Sequence, residues 1–218
     1  MINQELVSKI HCLLDKGVIS GISPYPKPGN MCVEQVVCYA MGEEIGDKPS
    51  CVGKQVRKFV TFLNDSSWSS PSARAEGMRE LSIAQLGSNS LNQKEFRDKI
   101  LFAVITKMLP AMFRDLGEER WEKEIKSLEK PKSLKEAREA VSALDVDANA
   151  DADACAVVFA VDPVVFAVDP VVFAVYDFDD FASYAASVTN IENKYLKMFA
   201  HLAVEVLKDM KSPGCEYL

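Results

Sequence analysis

The chain has 218 residues, of which 48% are hydrophobic and 26% charged, a balance that excludes a disordered protein and allows a sizeable core. The net charge of -7 argues against general affinity for nucleic acid. That charge is unevenly placed: residues 139–193 hold nine Asp, Glu139 and Glu192 with no Lys or Arg, a local -11, so the remainder carries +4.

The opening MINQELVSKIHCLL has an acid at Glu5 and no basic stretch before an apolar run, so it does not read as a secretory signal. Six cysteines without such a signal predict reduced thiols in a cytoplasm. Asn3 is placed to cap a first helix, with Leu6, Ile10, Leu13 and Leu14 on one face and Gly17 at its end. Three prolines and two glycines in the following GISPYPKPG forbid a helix there. Asn30 is then expected to cap a second helix, whose apolar face is Cys32, Val33, Val36, Val37 and Ala40.

Val52, Val56, Phe59, Val60 and Leu63 predict a third helix, with Lys54, Arg57 and Lys58 on its other side. Ser70 as cap, Pro71 at the first helical position and Gly87 past the end delimit a fourth. Asn92 and Glu95 form a capping box for a helix through Phe96, Ile100, Leu101, Val104, Ile105 and Met108, where Pro110 is expected to kink the chain. A charged helix, EERWEKEIKSLEK, ends before Pro131, and Ser133 with Glu136 opens another. The last helix carries Leu196, Phe199, Ala203, Val206 and Met210 on one face and stops at Pro213-Gly214.

Residues 155–176 read CAVVFAVDPVVFAVDPVVFAVY, two full copies of Val-Val-Phe-Ala-Val-Asp-Pro and the start of a third. As strands they have high β propensity, but Asp-Pro suits a tight hairpin poorly because Pro cannot take positive φ. As a helix, Asp162 and Asp169 serve as caps with Pro at the next position, so a kinked helix restarting at each Asp fits best. Phe159, Phe166 and Phe173 then form one stripe. Short β-strands remain the alternative. A membrane span is opposed by Asp162 and Asp169 and by acidic flanks.

Candidate chemistry is sparse. Asp145, Asp147 and Asn149 match the first ligands of a calcium loop, but Ala150 and Ala156 stand where its Gly and bidentate Glu belong. Cys32, Cys38, Cys51 and Cys215 are weak zinc candidates, since they lack the close pairs of structural zinc sites. Cys32 in particular fits a small core residue. Convergence of these thiols on residues 64–70 favours chemistry, and dispersal favours the core. His11 and His201 sit in amphipathic helices, and no nucleophile motif or phosphate-binding loop is present. The most suggestive polar segment is NDSSWSS, with Asn64, Asp65 and Trp68 as candidate binding residues. It also suffices as a turn and cap. Lys54, Arg57, Lys58, Arg74 and Arg79 are candidates for a basic face.

The segments MCVEQVVCYAMG, CVGKQVRKFVTFLNDSSWSS, ARAEGMRELSIAQLGS and SPGCEYL resemble a group of uncharacterised bacterial and phage proteins. The resemblance covers about the first 115 residues and the last 20, and it implies a helical domain with a low-complexity tail rich in Ala, Tyr and Asp. It implies no activity and no functional residues. Val, Phe and Pro stand here where such tails are mostly Ala.

The expected fold is mainly α: a helical domain over 1–132, an acidic repeat arm over 133–190, and a C-terminal helix over 191–218 packing back on the domain. The expected function is a non-enzymatic interaction or structural protein, without a cofactor, that uses the repeat for packing or self-association. Nucleic-acid-related binding through the basic face or the acidic block is one alternative, and a thiol or metal-dependent enzyme is another. A protein partner or a second copy is the expected partner, not a membrane.

Overall fold

The computed structural model describes residues 2–144 and 189–218. The helices among them are α1 (Gln4–Leu14), α2 (Val33–Met41), α3 (Lys54–Asp65), α4 (Pro71–Ala84), α5 (Gln93–Ala103), α6 (Leu109–Gly117), α7 (Glu122–Glu129), α8 (Leu134–Ser142) and α9 (Thr189–Asp209). Short 3-10 turns lie at Ser88–Ser90 and Pro213–Tyr217. The only β feature among the described residues is an isolated bridge between Lys27 and Asn30, so the protein is mainly α, as its apolar spacing predicts. No described helix is long and apolar enough to cross a membrane. The repeat of 155–176, the calcium-like run 145–153 and the competing helix, strand and membrane readings lie outside the described residues.

The chain falls into two compact units. One runs to Phe96 and includes α9 and the C-terminal turn; the other begins at Arg97. The division lies within α5.

In the first unit, α4 is the centre. It packs against α1, α2, α3, α9 and the 213–217 turn. Its buried residues Ala75, Met78, Leu81, Ile83 and Ala84 point in every direction, which only a helix enclosed by neighbours tolerates. The Ser70 hydroxyl accepts from Ala73 N–H at 3.0 Å, and Pro71 stands at the first turn. Gly77 admits the Trp68 ring: a Cβ there would lie 2.2 Å from the ring's Cη2. Phe59 and Phe96 meet edge to face, 6.3 Å between centroids.

The cap at Asn3 forms as expected, accepting from Leu6 N–H at 2.8 Å. The cap expected at Asn30 does not. Helix α2 starts two residues later, with Cys32 as cap: its Sγ accepts from Gln35 N–H at 3.5 Å, and Gln35 Oε1 accepts from Cys32 N–H at 3.3 Å. The Asn30 amide is used elsewhere. Its Nδ2 donates to Ser23 Oγ at 2.8 Å and Tyr25 O at 3.0 Å, closing the proline-rich loop.

In the second unit, α5 passes through a π turn, Val104–Met108, into α6. The expected kink at Pro110 takes this form: the wider turn precedes the proline, which sits in the first turn of α6. Met108, Met112, Phe113, Trp121, Ile125 and Leu128 form the core, with Phe113 and Trp121 tilted at 5.1 Å. Ser133 caps α8, accepting from Glu136 N–H at 3.3 Å, while Glu136 Oε2 accepts from Lys132 N–H at 2.8 Å.

Candidate functional site

The polar segment singled out in the sequence lies at the end of α3, against the proline-rich loop of residues 19–30. Asn64 is only 1% exposed. Its Oδ1 accepts from Val33 N–H at 3.2 Å, at the start of α2, and its Nδ2 donates to Ile19 O at 3.1 Å and Asp65 Oδ1 at 2.7 Å. Asp65 Oδ1 also accepts from Gly21 N–H at 2.7 Å. Gln35 grips the same loop, accepting from Ser23 N–H and donating to Ser23 O, both at 2.9 Å. Buried Asn64 and Gln35, with the exposed Asp65, therefore satisfy loop groups that no helix or sheet serves.

Trp68 is buried, and its Nε1–H donates to Leu63 O at 2.8 Å. Arg74 is buried too. Nη1 donates to Val18 O at 3.2 Å and Nη2 to Ser66 O at 3.3 Å. Burial lowers its affinity for the proton, and the Asp65 charge opposes this. Arg79 pairs with Asp15. Of the five residues considered for a basic face, Arg74 lies inside and Arg79 is paired, while Lys54 and Lys58 are exposed and Arg57 is half-buried.

The four candidate cysteines do not gather. Cys32 and Cys38 are buried, Cys51 Sγ lies 3.4 Å from Met41 Sδ, and Cys215 Sγ lies 4.0 Å from Ala84 O. Burial pushes the Cys32 thiol up to about 11 and raises the other three, which keeps them protonated at neutral pH. No group of three His, Cys, Asp or Glu among the described residues is placed to hold a metal ion.

Cys32 alone of the four reaches the polar segment. It lines a small cleft with Ile22, Glu34, Asp47, Asn64 and Asp65. Glu34 was not anticipated from the sequence. It is 1% exposed, and neither carboxyl oxygen has a hydrogen-bond partner of ordinary geometry. Burial pushes its carboxyl up to about 8; the Asp47 charge adds to this, while Arg57 and the nearby Gln85 amide oppose it. Gln85 is buried as well, and its amide is the polar group that faces this carboxyl. The signal for Glu34 was its place in the stripe with Val37 and Cys38, three and four residues on, both buried.

Asn64→Ala removes an acceptor and a donor from buried backbone groups. It should cost about 2–3 kcal/mol in urea unfolding. Asn64→Asp should be comparably harmful, because it sets a carboxylate against Asp65 Oδ1 and Ile19 O.

No protein family, curated protein or solved structure matches this chain.

Proposed function

We propose that this is a non-enzymatic interaction or structural protein, whose helical core carries the apolar repeat of residues 155–176 for association with a second copy. The observation that most supports this reading is how Asn64, Asp65, Trp68 and Arg74 are used. Their polar groups bind the chain's own backbone, so they act as struts for the 19–30 loop. The thiols of Cys32, Cys38, Cys51 and Cys215 are held protonated by burial, far from a nucleophile's state. The repeat itself places apolar residues at most positions, more than one neighbouring element can cover. A reducing cytoplasm and kinship with bacterial and phage proteins belong to the same proposal; the five described cysteines are all free thiols.

Size-exclusion chromatography with light scattering tests it. The full chain should show a mass above the 24.1 kDa of one copy, rising with concentration. Replacing Phe159, Phe166 and Phe173 by Ser should return it to one copy. A wild-type chain that remains single at high concentration overturns the proposal.

A further inference from the structure

Only four large apolar side chains stand well out of the surface among the described residues, and two of them, Tyr25 at 80% and Ile22 at 58%, share the proline-rich loop. A third, Ile45, is two residues from Asp47, which lines a cleft with Ile22. The loop that carries this apolar ridge has little slack. Besides the bonds from Asn64, Gln35 and Asp65, Ser23 Oγ accepts from Tyr25 N–H at 3.2 Å, and Asn30 N–H donates to Lys27 O at 2.7 Å. Ser23 is buried and Pro26 and Gly29 are half-buried, while the residues between them are exposed. The backbone is therefore fixed before any partner arrives, and a contact made by the exposed ring costs little further ordering.

We propose that this ridge is a contact between two copies of the chain: Ile22 and Tyr25 of one meet the same residues of the other across a two-fold axis, while Lys16 and Lys27 of each face Asp47 and Asp65 of the other. The contact rests on the second-copy association proposed above; the repeat contributes to that association, and the ridge fixes how the two copies face each other. Charge selects a second copy over an unrelated partner, because the loop is flanked by opposite signs. Toward α3, Asp65 accepts from Gly21 N–H, and Asp47 and Asp65 line the cleft beside Ile22. Toward α1, Gly29 sits on Lys16: a Cβ there would lie 3.0 Å from Lys16 O. Lys16 and Lys27 are exposed, and among the described residues neither makes an ion pair. Asp15, next to Lys16 in sequence, is held by Arg79. A patch with an apolar middle, acids on one side and bases on the other is complementary to itself when turned by half a rotation. An aromatic centre inside a charged rim is also the usual anatomy of a protein contact.

The test is sedimentation equilibrium of the full chain over a concentration series. Tyr25→Ala should raise the dissociation constant about tenfold or more without moving the unfolding midpoint, because the ring is exposed in a single copy. Lys16→Glu combined with Lys27→Glu should weaken pairing by a similar factor, and Asp47→Lys should weaken it too. Asp65 is left in place because it holds Gly21 and Asn64. An equimolar mixture of the double lysine variant and the Asp47 variant should pair about threefold or more tightly than either alone, since opposite signs then face each other again. Wild-type pairing that survives all of these changes, or a mixture no tighter than its components, overturns the ridge and leaves the repeat reading standing. A pair that dissolves on charge reversal but survives loss of the repeat phenylalanines keeps the ridge and removes the repeat. A wild-type chain that stays single at high concentration removes both.

Discussion

Glu34→Gln should stabilise the protein at neutral and alkaline pH and leave it nearly unchanged in acid. In the folded chain burial holds the carboxyl up to about 8, against an ordinary value of 4.5. Below about pH 4.5 the carboxyl is protonated whether the chain is folded or unfolded, so Glu34 is tolerated in full. Between about 4.5 and 8 the unfolded chain releases the proton and the folded chain keeps it, so stability falls as pH rises. Above about 8 both states are ionised and the loss is complete. At about 1.4 kcal/mol per pH unit, that window sets a ceiling of roughly 5 kcal/mol. Gln has the same shape without the proton, so subtracting its urea unfolding curve from that of the wild type isolates this residue. A difference that is flat with pH contradicts a neutral buried carboxyl at this site.

Gly214→Ala should destabilise the first unit by about 3 kcal/mol or more. A Cβ at this position would lie 2.0 Å from Ile83 O, a backbone atom that cannot swing aside. The segment around it holds the end of α4: Gly214 N–H donates to Leu86 O at 2.9 Å, and Ser212 Oγ donates to Ala84 O at 2.6 Å. These are carbonyls that the helix end itself leaves unpaired. Displacing the tail exposes them together with the C-terminal side of α4. Gly46→Ala is the matched control, because a Cβ there meets nothing within 4 Å; it should change stability by less than about 0.5 kcal/mol. Equal unfolding midpoints for the two variants contradict the clamp.

The helices were legible because their signals are local. Asn3, Ser70 and Ser133 cap where expected, since a cap is decided within three residues. The start of α2 was not, because Asn30 is an excellent cap that a loop contact claims instead, leaving a thiol to do the work. The candidate site was legible only in its outline. Asn64, Asp65, Trp68 and Arg74 do cluster, but their roles depend on partners such as Ile19, Val33 and Val18, tens of residues away. Glu34 escaped because a charged residue on a short helix is ordinarily assigned to solvent. Only the burial of α2 on nearly every side reverses that assignment.

The clamp between Ser212 and Ala84 joins residues 128 positions apart. At the usual pace of synthesis, about 5–20 residues per second, roughly ten seconds separate the emergence of α4 from that of the segment that caps it. For that interval the nascent chain presents the apolar side of α4 on which α9 later docks. Closure of the first unit therefore waits for α9 and the 213–217 turn, and until they arrive α4 keeps an uncovered apolar side.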